Sequence, residues 1–266
     1  MKLNIELSGV PETMLIPLYA RAIESKKSKP AFYDKYAIDI IESIDYDFSN
    51  IAKGKMSLWG CAARTIILDR EVKSFISENP NCTCINLGCG LDARFHRVDN
   101  GKINWYNVDF QSIADLRDKF LPKMDREEML ISSALDKVWI DKVNKKNEIL
   151  IIMEGLSMYF TEEEVKDFIN MTKEAFPNCT ILIELLSEFS WKNQKTHDTL
   201  KYTTAVFKWG VKEARELEIL CPYAKLIDEW NYTPIMKQFS PVFITLISPI
   251  LKNFNNRIGK FLIYDK

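Results

Sequence analysis

Between residues 84 and 185 the chain repeats one pattern: a short apolar-rich run, then a stretch that is polar or amphipathic. The runs fall at 84–87, 103–108, 129–131, 149–153 and 180–185. Their length suits strands, and unbroken apolar character suits strands covered on both faces. Intervening segments long enough for a helix bring the next strand in parallel to the last. The clearest of them is 161–176. Thr161 and Glu164 there have capping-box spacing, Val165, Phe168, Ile169 and Phe176 share one side, and Pro177 follows the end. This alternation restricts the chain to an α/β fold, a mostly parallel sheet with helices on both faces. Beyond it, 188–220 is mixed and reads as a helical insertion, 225–232 as a strand, 241–254 as a helix and 260–264 as a final strand. Such late strands fit an antiparallel end to the sheet.

The first eighty residues have a different texture. Helical spacing runs over 14–23, over 31–44, where Phe32, Tyr36, Ile40 and Ile44 lie four apart, and over 62–76, which Pro80 ends. Residues 1–80 therefore read as a helical cap over the carboxyl edge of the sheet. They belong to the same domain as a core spanning 81–266.

Charge excludes some partners. Lys and Arg total 36 against 37 Asp and Glu, a formal net charge of −1, so there is no footprint for nucleic acid or an anionic membrane. The apolar stretch 242–251 is too short to span a bilayer and contains Thr245, Ser248 and Pro249. The first ten residues lack a signal-peptide core, so a cytoplasmic location is expected. Six cysteines, at 61, 82, 84, 89, 179 and 221, show no regular spacing, and only two histidines accompany them. They read as structural thiols, and no metal site is expected.

Chemistry enters at Gly88-Cys89-Gly90, directly after a buried-looking strand, with Ala93 completing a Gly-x-Gly-x-x-Ala spacing. Glycine allows a tight turn and close approach to a ligand. The next strand ends at Asp109, 21 residues after Gly88, where an acid can accept two hydrogen bonds from a ribose diol. The pattern suits a nucleoside-bearing cofactor, either a nicotinamide dinucleotide or S-adenosylmethionine. The alternative is a tight turn beside a helix-capping acid.

Further words occur in order: Arg64-Thr65, Asn86-Leu87-Gly88-Cys89-Gly90-Leu91-Asp92-Ala93-Arg94, Val108-Asp109, Ser133-Ala134-Leu135-Asp136 and Glu154-Gly155-Leu156-Ser157-Met158-Tyr159. With Leu15 to Ala22 and Asp45-Tyr46-Asp47-Phe48, the chain resembles the leucine carboxyl methyltransferase family, closest to its bacterial, tetracenomycin-type polyketide O-methyltransferase branch. The resemblance implies the class I S-adenosylmethionine-dependent methyltransferase fold, with a seven-stranded sheet. It implies S-adenosylmethionine as cofactor and S-adenosylhomocysteine as product. Arg64 would take the cofactor's carboxylate, a role that suits a planar guanidinium. Gly88 and Gly90 would let the backbone approach the methionyl part, and Asp109 would hold the ribose. Ala134, Leu135 and Asp136 would lie about the adenine, and Glu154 near the amino group. Arg94 and Asp92 read as a structural pair.

The expected function is transfer of a methyl group to a hydroxyl or carboxyl of a small, polyketide-like molecule. In-line methyl transfer depends mostly on positioning, and a carboxylate acceptor needs no base, whereas a phenol would profit from one. Tyr159 and His197 are the candidate catalytic groups, and Tyr19, Arg21 and Tyr159 the candidate acceptor contacts. Aromatic residues of the cap and of 191–209 suggest an apolar acceptor pocket, or ordinary core packing. An NAD(P)-dependent oxidoreductase and a methyltransferase of protein C-terminal carboxyls are the competing readings. The oligomeric state is not legible.

Overall fold

The computed structural model describes residues 3–4, 10–196 and 203–264. The cap contributes α1 (Leu15–Ser25), α2 (Lys35–Ser43) and α3 (Lys55–Glu78). The Asp34 side chain caps α2 by accepting from the Ala37 amide at 3.0 Å, so this helix starts later than the periodicity predicts. Helix α3 extends beyond the predicted 62–76 at both ends.

The core follows with β1 (Thr83–Leu87), α4 (Arg94–Val98), β2 (Asn104–Asp109), α5 (Gln111–Phe120), β3 (Glu127–Ile131) and β4 (Ile149–Met153). Then come α6 (Glu162–Ala175), β5 (Thr180–Leu185), β6 (Ala224–Asn231), α7 (Pro241–Phe254) and β7 (Arg257–Ile263). The capping box of α6 is formed in both directions by Thr161 and Glu164.

The strands make one seven-stranded sheet in the order β3-β2-β1-β4-β5-β7-β6. Strands β1 to β5 pair in parallel, and β7 runs antiparallel to both β5 and β6. This is the class I methyltransferase sheet. All five residues of β1 and of β4 are buried, which explains the unbroken apolar sequence of β4, while in β1 the buried Asn86 side chain donates to Asn107 at 3.4 Å.

Successive residues of the central strands feed two cores. Ile85, Ile151 and Ile183 pack with Val165, Phe168 and Ile169 of α6. Cys84, Leu150 and Leu182 pack with Ile67, Leu68 and Val72 of α3 and with Ile244 and Leu251 of α7. Cys82 and Cys84 lie with their sulfurs 3.8 Å apart in this second core, and all six cysteines are free. A third cluster joins Leu15, Leu18 and Ile40 of the cap to Leu91 and Ala93, just past β1. The cap is thereby seated on the glycine loop.

The predicted helical insertion at 188–220 is helical only in part. Its described residues form short helices at Glu188–Lys192 and Arg215–Leu220 and a single turn at Gln194–Thr196. Residues 205–210 have no regular structure, and Val211 bridges to Ser187. Ala205 and Phe207 there bury against Met158 and Leu186, so their apolar character reflects packing without helical periodicity. Among the described residues no helix is long and apolar enough to cross a membrane.

Candidate active site

A cavity of about 670 Å³ opens at the carboxyl ends of β1, β2, β4 and β5. That is where parallel sheets bind ligands, and the volume falls in the range of small-molecule sites. Its floor is the turn after β1. Gly88 and Gly90 adopt φ of 61° and 49°, conformations that cost little only for glycine. A Cβ on Gly88 would come within 3.0 Å of the Leu156 side chain, and one on Gly90 within 3.3 Å of Met14. Gly88→Ala should therefore cost about 1 kcal/mol in backbone strain and push Leu156 into the cavity. Ligand affinity measured by calorimetry should fall, with the melting temperature lowered only slightly.

Asp109 ends β2 against this turn. Its two oxygens accept from the amides of Gly90 at 2.9 Å and Phe110 at 2.8 Å. Burial raises its pKa, while those amides work in the other direction. With the Cys89 thiol as a third donor the carboxylate still keeps acceptor capacity, and the residue lines the cavity. Arg117 of α5 fixes the turn from outside by donating to the carbonyls of Gly90 and Asp92 at 2.9 and 2.8 Å.

At the other end stands Arg64 of α3, buried between two carboxylates. One terminal nitrogen lies 2.7 Å from Glu154, just past β4, and the other 2.7 Å from Glu184 of β5. Its Nε is buried without a partner among the described residues. Glu184 accepts from four donors: Arg64, the Gly155 amide, the Tyr232 hydroxyl and the Asn256 amide, each at 2.7 Å.

The ion pairs continue inward. Glu154 also meets Arg94, which pairs with Asp69 at 2.8 Å and Asp92 at 2.9 Å. Arg97 then links Asp69 and Asp92 to Asp34, and Asp34 pairs with Arg21 at 2.9 Å. The expected Arg94–Asp92 pair is thus one joint in a chain that ties the cap to the strand ends.

The predicted residues divide. Arg64, Gly88, Gly90, Asp109, Glu154 and Tyr159 all line the one cavity. Tyr159 donates to the Thr13 hydroxyl at 3.1 Å, and burial pushes its phenol up to about 12, so at neutral pH it stays protonated. It closes the N-terminal segment over the site and is no ready base. Arg21 reaches the cavity edge, but it is 2% exposed and its guanidinium is taken up by Asp34 and the Leu91 carbonyl. These contacts tie the cap to the turn after β1. Tyr19 stacks on Phe48 with ring centroids 4.8 Å apart and does not line the cavity.

Ala134, Leu135 and Asp136 follow β3 but also lie outside the lining. Ala134 is buried in the core, where its carbonyl accepts from the Trp139 indole at 3.2 Å, and Asp136 is exposed. His197 lies outside the described residues. The His96 ring packs tilted against Tyr36, with centroids 4.5 Å apart, and does not line the cavity.

The outer part of the cavity is apolar, and of its residues only Phe207 belongs to the aromatic set that the sequence offered for an acceptor pocket. Phe243, Ile247, Ile250 and Phe254 come from α7, with Phe189 and Phe207 opposite. The Phe189 and Phe254 rings lie 4.0 Å apart. Their outer surfaces are exposed, so the mouth is apolar as well.

Donor types fit S-adenosylmethionine. Arg64 has N–H groups beyond those given to its two carboxylates, Nε among them, and Glu154 and Asp109 are acceptors at the ends of the two strands that flank β1. The positive-φ turn leaves backbone where a Cβ would obstruct.

Comparison with known proteins agrees. Residues 14–173 match the sequence model described as leucine carboxyl methyltransferase. The tetracenomycin polyketide synthesis O-methyltransferase TcmP of Streptomyces glaucescens is 28% identical over 242 residues, covering 90% of each chain. The S-adenosyl-L-methionine-dependent methyltransferase dpfgK of Gibberella zeae is 28% identical over 245 residues, covering 84% of this chain and 82% of that one. In fold, a crystal structure of a DUF574 family protein from Streptomyces avermitilis superposes with a TM-score of 0.61 at 9% identity, covering 91% of this chain and 96% of the other.

Proposed function

The chain belongs to the leucine carboxyl methyltransferase family, and from that premise we propose that it transfers a methyl group from S-adenosylmethionine to a hydroxyl or carboxyl oxygen of an apolar, polyketide-like small molecule. The observation that carries this reading is that Arg64, Glu154, the glycine turn and Asp109 face one cavity whose outer half is aromatic and aliphatic.

Bound in the inner half, S-adenosylmethionine supplies an electrophilic methyl on a positively charged sulfur. Arg64 takes the carboxylate with its remaining N–H groups, Glu154 accepts from the ammonium, and Asp109 accepts from the ribose hydroxyls. Phe189, Phe207, Phe243 and Phe254 hold the acceptor and exclude water, so its oxygen is presented in line by shape. Among the described lining residues there is no histidine, and Tyr159 keeps its proton, which favours an acceptor oxygen that is acidic on its own. TcmP, whose name records polyketide synthesis, supports the acceptor class.

We read residues 1–80 as a cap sharing the domain of 81–266, because Leu15 and Leu18 bury against Leu91 and Ala93. A cytoplasmic location and the absence of a nucleic-acid partner rest on the balanced charge and the six free thiols.

Calorimetry with S-adenosylmethionine and S-adenosylhomocysteine, then transfer of labelled methyl into extracted metabolites, tests the reading. Binding of a nicotinamide dinucleotide in their place would overturn the cofactor. Label entering proteins and not small molecules would overturn the acceptor class.

A further inference from the structure

The buried chain of ion pairs from Arg21 to Glu184 contains four arginines and five carboxylates, none more than 10% exposed. Arginine stays cationic in proteins. With its carboxylates ionised the chain carries one negative charge over. The geometry locates that charge. Asp34, Asp69, Asp92 and Glu154 each face at least two arginines. Among the described residues Glu184 faces Arg64 as its one arginine, and must share it with Glu154. Its other three donors, from Gly155, Tyr232 and Asn256, are neutral groups.

A buried charge lacking its full counter-charge is unfavourable, and a cationic ligand beside it offsets that cost. S-adenosylmethionine carries a net single positive charge from its sulfonium, ammonium and carboxylate. S-adenosylhomocysteine has lost the sulfonium charge and is neutral overall. Glu184 lines the same cavity as Arg64 and Glu154. We propose that Glu184 is a specificity-determining residue of the cofactor site: its incompletely compensated charge favours the cationic methyl donor over the neutral thioether product, so that methyl transfer itself loosens the ligand. This rests on the cofactor reading above.

Titration calorimetry on the full chain tests it with both ligands. Wild type should bind S-adenosylmethionine more tightly than S-adenosylhomocysteine. In Glu184→Gln, affinity for the sulfonium ligand should fall about tenfold, the size expected for unit charges on the order of 10 Å apart at an effective dielectric of about 20. Affinity for the thioether should change far less. Tyr232→Phe removes one hydrogen bond to Glu184 but no charge, and should leave the ratio of the two affinities unchanged. Equal weakening of both ligands in Glu184→Gln would overturn the proposal, leaving the residue a mere support for Arg64. So would a wild-type protein that binds the thioether at least as tightly, a result that does not depend on any variant folding. Failure of wild type to bind either ligand is a separate outcome, removing the cofactor reading and this inference with it.

Discussion

Replacing Arg64 with methionine should reduce S-adenosylmethionine binding below detection by calorimetry and cost about 3–5 kcal/mol of folding stability. Methionine keeps much of the side chain's length and apolar bulk, so the change isolates the guanidinium. Two consequences follow from one loss. The carboxylates of Glu154 and Glu184, which approach Arg64 from either side at 2.7 Å, would face each other across a buried space with no cation between them. On the proposed cofactor reading, a ligand carboxylate would also meet two negative groups in place of a cation. The double variant Arg64→Met with Glu184→Gln separates these effects. Removing the second charge should restore part of the stability, giving a coupling energy in a double-mutant cycle, but no binding. Denaturant unfolding reads the first quantity and calorimetry the second. A single variant as stable as wild type would show that the pairs contribute nothing net, and a single variant that still binds would place the ligand carboxylate elsewhere.

What the sequence disclosed about this site follows the range of the interactions involved. The glycine turn and Asp109 are local: a strand, a turn without side chains and an acid at the next strand end can be read as a pattern, and the turn's amide does meet Asp109. Arg64 and Glu154 were legible only through family resemblance, since nothing near Arg64 in the chain announces partners 90 and 120 residues away. Glu184 had a visible signal that went unused. A lone carboxylate in the apolar run Ile181-Leu182-Ile183-Glu184-Leu185 must find donors when that strand is buried. The acceptor side was harder for a physical reason. Its wall is built from α7, whose apolar residues point both inward, as Ile244 and Leu251 do, and outward, as Val242 and Leu246 do. The few polar residues of this helix, Thr245, Ser248, Lys252 and Asn253, leave more than one apolar side, so the sequence does not reveal which of them meets the cavity. The ion pair of Arg21 was not legible, because an arginine in an apolar helix suggests a ligand anchor equally well as a buried pair, and its partner Asp34 lies across a turn that helical periodicity does not register.

The same chain of ion pairs should give the protein a steep acid transition. Burial by itself would raise the carboxyl groups of Asp69, Asp92 and Glu154, yet all three are held below the ordinary carboxylate range. Arg97 and Arg94 lower Asp69, Arg94, Arg97 and Arg21 lower Asp92, and Arg64 and Arg94 lower Glu154. A carboxylate whose folded pKa is depressed contributes stability that is fully present above its unfolded pKa and disappears as pH falls through the folded one. Unfolded Asp and Glu titrate near 3.9 and 4.3. Stability should therefore be nearly flat in these groups above about pH 5. Below about pH 4 it should fall by about 1.4 kcal/mol per pH unit for each carboxylate, about 4 kcal/mol per unit for the three. Urea unfolding at a series of pH values measures this slope. Arg94 faces all three groups, so Arg94→Met should lose stability at pH 7 and flatten the slope below pH 4. Added salt at 0.5 M, which screens exposed charges strongly, should change the wild-type slope little because these pairs are buried. Equal acid slopes in the variant and wild type would place the acid sensitivity elsewhere in the molecule. A wild-type slope that salt largely abolishes would assign it to the surface.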